Sequence, residues 1–209
     1  MIWICGSLFC FVRMAVVTLR LRALIRRAVP VDSIPIGSRL RWLCRDLGIR
    51  SEVTVLSSNE IDVPIAAGIF DPKIVLSAES ATWNETRRTS VLCHELAHIK
   101  RLDALTQFTS GIATALYWFN PLVWIAVRAL RLERERACDD YVLARGTPAS
   151  DYAHELLEIM SSLHRPQPAA ALAMARQSQL EGRVLALLNP KIRHSTLRRG
   201  PAVALIRPG

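Results

Sequence analysis

The sequence predicts a mostly helical α+β chain, with a small β-sheet or hairpin, attached to an amino-terminal transmembrane helix. Three observations predict it. Residues 2 to 19, IWICGSLFCFVRMAVVTL, are apolar apart from Arg13. Two β-branched runs, EVTVL at 52–56 and KIVLS at 73–77, are bounded by turn formers. From residue 83 to 163, helical segments follow one another, marked by a cap, apolar faces and an Asn-Pro break.

The first segment is long enough to approach a bilayer span. Arg20, Arg22, Arg26 and Arg27 follow it at once, and nothing basic precedes it except the amino terminus. A cleaved signal peptide has the opposite charge order and a small-residue cleavage site, so residues 1–28 read as a retained anchor with its basic juxtamembrane segment. The positive-inside rule then puts the amino terminus outside and the rest of the chain in the cytoplasm. Lipid is therefore an expected partner, with Arg13 facing another helix.

Residues 29–164 form the expected folded domain. Val29-Pro30 and Ile34-Pro35 break the chain before a short helix at 38–47. Between the two strands, IDVPIAAGIFDP carries Pro64, Gly68 and Asp71-Pro72, which predicts a bent edge strand and a turn. Thr82-Trp83-Asn84-Glu85 has the form of a capping box, so a helix should begin near 83. An uncharged stretch, 104–127, reads as an apolar helix buried against the membrane or other helices, softened by Gly111 and broken at Asn120-Pro121. A helix over 122–145 starts apolar and becomes densely charged. Another, over 151–163, places Tyr152, Leu156, Ile159, Met160 and Leu163 on one face. Residues 165–209 are a linker, a short helix near 179–188 and a basic tail.

Composition narrows the function. The net charge is +9, and of 27 basic residues only Lys73, Lys100 and Lys191 are lysines. The arginines cluster beside apolar segments and no nucleic-acid-binding module appears, so direct nucleic-acid binding is not expected. Five cysteines without framework spacing imply no disulfide scaffold, and Cys93 and Cys138 read as small buried thiols.

The chemistry lies in SVLCHELAHIKRLD, where His94, Glu95 and His98 stand in the order H-E-x-x-H. Four residues is slightly more than one helical turn, so the two imidazoles point the same way and can share one metal ion. Glu95 stands one step round the helix. There it can take a proton from a water at the ion's open position and later deliver it to a leaving amine. Zinc suits such ligands and a hydrolysis without redox change. A third ligand is needed. His154, His164 and His194 lie on a polar face, beside a linker and in the tail. LERERACDD offers Glu133, Glu135, Asp139 and Asp140, of which Glu135 and Asp139 share a face. Spacing alone leaves that choice open, and leaves the cluster equally readable as a solvated charged face.

HELAHIKRLD, YWFNPLVW and ERERACDDYVL, in that order, resemble the membrane metallopeptidases of the BlaR/MecR antirepressor family. GIFDPKIVL upstream and ASDYAHELL and MARQSQLEGRVLALLNP downstream extend the likeness to about residues 1 to 195. The resemblance implies a zincin-like, gluzincin-type metallopeptidase domain in which His94, His98 and Glu135 bind one zinc ion. It implies Glu95 as the base and Asp139 as an outer partner of the ligands. It further implies a cytoplasmic endopeptidase that transduces a signal by cleaving a DNA-binding repressor or itself. Such proteins carry further membrane helices and an extracellular sensor; this chain shows one amino-terminal apolar segment and ends at ALIRPG, so it reads either as a truncated product or as a short member that takes its signal from a sensor partner protein. A general membrane quality-control protease shares H-E-x-x-H and E-x-x-x-D, and a non-catalytic transducer subunit is the reading from another class. The W-F-N-P block favours the antirepressor family over the former, and an intact ligand set favours an enzyme over the latter.

Overall fold

The computed structural model describes residues 1–31, 34–162, 182–185 and 187. Helix α1, Ile2–Arg27, carries the long apolar run, and among the described residues it is the one helix long and apolar enough to cross a membrane. Its apolar side chains point outward: Ile2, Ile4, Leu8, Phe9 and Val12 are all exposed. Strand β1, Val29–Pro30, follows directly, with its proline on an edge of the sheet where a missing donor does no harm.

Helix α2 spans Ile34–Leu47, four residues longer at its start than the sequence suggests. Pro35 is the reason: in the first turn of a helix its missing N–H has no partner to lose, so the residue read as a breaker sits inside the helix. Strand β2, Thr54–Ser58, lies two residues later than EVTVL, while β4, Lys73–Ser77, falls on KIVLS. The short edge strand β3, Ile65–Ala67, lies between them in sequence. Spatially the order is β1-β2-β4-β3. The β2/β4 pair is parallel, and both outer pairs are antiparallel. Gly68 ends β3 with φ 92°, and a Cβ there would strike the backbone carbonyl of Asp71, so the turn requires glycine.

A 3-10 turn over Ala78–Thr82 precedes α3, Glu85–Arg101. The expected cap is displaced by two residues. Thr82 donates its hydroxyl to Glu79 O inside the 3-10 turn, and Asn84 caps the helix by accepting from Arg87 N at 2.8 Å. Helix α3 buries Leu92 and Leu96 against Val55, Ile74 and Leu76 of the sheet and Leu43 and Leu47 of α2.

The uncharged stretch is two helices. Helix α4, Asp103–Leu116, and helix α5, Pro121–Leu143, are joined by a turn. Asn120 accepts from Leu122 N at 3.0 Å, and Pro121 takes the first helical position. Helix α6, Ala149–Ser162, buries Tyr152 and Leu156 on the predicted face; Leu163 lies outside the described residues. Residues 182–185 and 187 are helical, within the short helix expected near 179–188.

Helices α3 and α4 are almost continuous. The break is Leu102, the one described residue other than glycine with positive φ (58°). Its N–H still bonds Ile99 O at 3.1 Å, so α3 ends in a left-handed cap on a residue that pays a steric penalty for it. Leu102 is 49% exposed and contributes little to the core. Replacing it with glycine should therefore stabilise the fold by about 0.5–1 kcal/mol, whereas Leu102→Val should destabilise it. Urea titration of the detergent-solubilised protein measures both, and a loss of stability in Leu102→Gly would contradict this account of the break.

Candidate metal centre

Helices α3 and α5 cross so that one turn of each faces the other. His94 and His98 stand on α3 with ring centroids 4.9 Å apart, and Glu135 points at them from α5. Glu135 Oε2 is 3.6 Å from His94 Nε2 and 3.9 Å from His98 Nε2, and the three donor atoms lie within 4.8 Å of one another. Donors at 2.0–2.2 Å around a tetrahedral ion sit roughly 3.3–3.6 Å apart, so this group fits one small divalent cation. Of the four carboxylates the sequence offers in this run, the structure brings Glu135 to the histidines. Glu133 instead pairs with Arg136 at 2.7 Å.

Each imidazole has its second nitrogen tied to a carboxylate. His94 Nδ1 lies 3.2 Å from Asp139 Oδ1 and 3.1 Å from the Tyr152 hydroxyl, which itself donates to Asp139 Oδ1 at 2.8 Å. His98 Nδ1 donates to Asp103 Oδ2 at 2.8 Å, with Cys138 Sγ at 3.2 Å. These contacts hold a proton on Nδ1 and turn both Nε2 atoms towards Glu135. Asp103 and Tyr152 are buried, as are Asp139 and Cys138. Asp103 is absent from the sequence reading because Leu102 changes the helix direction between it and His98. Arg183, equally unforeseen, donates to both Asp139 oxygens, from Nε at 2.9 Å and from Nη2 at 2.6 Å.

The charges are strongly coupled. Burial pushes the His94 pKa down, as does the Arg183 guanidinium, yet hydrogen bonds to Asp139 and Glu135 outweigh both and raise it to about 9. Burial pushes the Glu135 carboxyl up, but the hydrogen bond and charge of His94, with His98 and Arg183, hold it well below the usual carboxylate range. Asp139 likewise resists burial through Arg183 and His94 and is lowered to about 2. Cys138, desolvated and beside Asp103 and Glu135, is held as a neutral thiol with its pKa raised far above normal.

Glu95 is buried and, among the described residues, has no hydrogen-bond or ion-pair partner. With His94, His98 and Glu135 it lines a cavity of about 2230 Å³ whose walls include β3, α1 and α4. Of the other polar side chains, Tyr152 faces the far nitrogen of His94, and His154 is exposed beside Glu158. The Tyr141 ring carries Lys100 and Arg145 against it. His164 and His194 lie outside the described residues.

The family profile described as BlaR1 peptidase M56 matches residues 1–187. Regulatory protein BlaR1 of Bacillus licheniformis is 28% identical over 142 residues, which is 68% of this chain and 24% of that protein. Methicillin resistance mecR1 protein of Staphylococcus aureus is 25% identical over 190 residues, covering 88% of this chain and 32% of the relative. The mecR1 protein of Staphylococcus epidermidis matches to the same extent. The chain thus spans between about a quarter and a third of the length of the relatives it matches.

The coupled charges set a pH profile for protein stripped of metal by a chelator. A histidine raised from 6.5 to about 9 adds stability that is complete below pH 6.5 and lost as the pH rises through 9. The lowered carboxylates add stability that is present above their ordinary values, near 4.5 and 3.8, and lost as the pH falls below them. Metal-free protein should therefore be most stable between about pH 4.5 and 6.5, and should weaken towards pH 9. Denaturant melts across that range test it; a flat alkaline limb would mean that His94 and Glu135 are not paired.

Proposed function

We infer the function from one premise: this chain belongs to the BlaR1 peptidase M56 family. On that basis it is an integral-membrane, zinc-dependent endopeptidase. It works on the cytoplasmic side and acts in signal transduction by cleaving a DNA-binding repressor or itself. One observation carries the reading: two imidazoles and a carboxylate converge beside a buried Glu95 that has no partner among the described residues, at the wall of a cavity lined by β3.

His94, His98 and Glu135 would hold the ion, and their nitrogen and oxygen donors suit zinc. Bound there, zinc supplies Lewis acidity that polarises a carbonyl and makes water a competent nucleophile near neutral pH. The rest falls to the chain's own groups. Glu95 accepts the proton of the attacking water and returns it to the departing amine, a role that a carboxylate engaged in a salt bridge would perform poorly. Asp139 and Asp103 hold the Nδ1 protons of the two histidines, so both rings keep their orientation through the reaction. β3 occupies one edge of the sheet, and its outer side is unpaired among the described residues. Ile65, Ala66 and Ala67 line the cavity, where an extended substrate backbone can add as a further strand. The α1 anchor confines the reaction to the membrane surface, and its arginines favour the cytoplasmic side.

Elemental analysis of detergent-purified protein should give about one zinc per chain, lost or sharply reduced in His98→Ala and Glu135→Ala. Glu95→Gln should keep its zinc and lose activity by roughly 100- to 10,000-fold. Labelling of new protein amino termini in cells that express wild type or Glu95→Gln reads that activity, including self-cleavage. Zinc retained without Glu135 would move the third ligand elsewhere, and identical termini in both strains would remove the peptidase assignment.

A further inference from the structure

Arg183 lies 44 residues beyond Asp139 in sequence, yet it is buried in the middle of the metal centre. Its guanidinium grips Asp139 with two nitrogens, Nε to Oδ2 at 2.9 Å and Nη2 to Oδ1 at 2.6 Å. The same Nη2 lies 3.3 Å from the Tyr152 hydroxyl, and Nη1 reaches within 3.6 Å of Glu135 Oε2. One planar cation thus touches two carboxylates: the one that orients His94, and the one expected to bind the ion.

That placement has a physical purpose. Glu135 and Asp139 share one face of α5, and both are largely buried, so two negative charges repel each other where water cannot screen them. Metal binding needs both ionised, Glu135 as a donor and Asp139 as acceptor of the His94 Nδ1 proton. A guanidinium keeps them so, because it stays charged when buried and its fork matches a carboxylate bidentately. A lysine carries the charge without the fork. Tyr152 closes the arrangement: its hydroxyl donates to the same Asp139 oxygen that Arg183 holds.

We propose that Arg183 is a positioning residue of the metal centre: its fork sets Asp139, and through it His94, while its charge steadies Glu135. Arg183 is therefore part of the site, although it lies outside the blocks that carry the metal motif. This rests on the metallopeptidase reading above. The alternative is that Arg183 merely fastens its own segment to the domain.

The test measures zinc affinity of the full-length, detergent-purified chain by chelator competition, together with the visible spectrum after Co²⁺ substitution. Arg183→Ala should bind zinc about 10- to 100-fold more weakly and shift the Co²⁺ bands, as loss of an outer ligand partner does elsewhere. Arg183→Lys should recover part of the affinity without restoring the spectrum. Combining Arg183→Ala with Asp139→Asn should cost less than the two single losses together, since both act on His94 through one contact. Val184→Ala, which loosens the same buried segment without touching a carboxylate, should lower thermal stability and leave affinity and spectrum unchanged. Wild-type affinity and spectrum in Arg183→Ala would overturn the proposal. If that variant does not accumulate, the same outcome in Arg183→Lys overturns it. Equal loss of affinity in Val184→Ala overturns it too, in favour of simple fastening. A wild-type chain that takes up no zinc would instead sink the metallopeptidase reading itself.

Discussion

Helix α5 carries two carboxylates, Glu135 and Asp139, into the interior on one face, and a buried charge is tolerable only when it is paired and hydrogen-bonded. Much of the architecture around the site can be read as the answer to that constraint. Helix α3 supplies two imidazoles, α6 a phenol, the start of α4 a third carboxylate for the far side of one ring, and Arg183 a guanidinium. Five separate pieces of chain, α5 among them, converge at the site. Without such a set, Asp139 in particular would be an isolated anion at 3% exposure.

The same constraint accounts for the irregular backbone at Leu102. A straight continuation of α3 would carry Asp103 away round the helix, five residues beyond His98. The left-handed residue turns the chain so that Asp103 folds back to His98 Nδ1 at 2.8 Å. A steric cost of about 1 kcal/mol is small beside that of leaving either group buried and unpartnered. Local strain here serves the orientation of a functional ring, and it sits one residue from the group it places.

What the sequence made legible follows from range. His94, Glu95 and His98 fall within five consecutive residues, and helical spacing alone puts them on one side of α3. β4 was readable because β-branched residues between a proline turn and a serine leave little else to form, and β3 because Pro64 and Gly68 bracket it. Glu135 needed more. Its spacing to Asp139 was visible, but only the family likeness chose it from four carboxylates, and the ion-pairing of Glu133 with Arg136 shows why composition could not. Asp103 and Arg183 were invisible for different reasons. The first depends on a positive φ at a leucine, which no local preference announces; the second depends on a contact across 44 residues. The misplaced starts of α2 and α3 have a common source. Pro35 and Thr82 each have two structural uses, and the neighbouring turn decides which one applies.

The long apolar elements follow a geometry of their own that sets where the site lies along α1. Trp3 Nε1 donates to Leu116 O at 3.0 Å and Trp118 Nε1 to Trp3 O at 3.3 Å, so the amino-terminal end of α1 meets the tip of the α4–α5 hairpin. Gly6 admits the Trp118 ring against α1, and Gly111 of α4 admits Met14, a full step further down. The two helices therefore run antiparallel, and the hairpin opens towards the arginine-rich end of α1. Asp103 stands at that open end of α4, about 20 Å from Leu116 at 1.5 Å per residue, and Glu135 stands about as far along α5 from Pro121. Both figures fall short of a hydrocarbon core of about 30 Å, whereas the 26 residues of α1 reach about 39 Å. Set against the longer α1, the hairpin has its closed tip at the amino-terminal end of that helix and its open end towards the arginines that follow the apolar run. The site thus lies towards the arginine-bearing end of α1, whichever way that helix is oriented. The cytoplasmic placement proposed for the site is thus the same question as the orientation of its anchor.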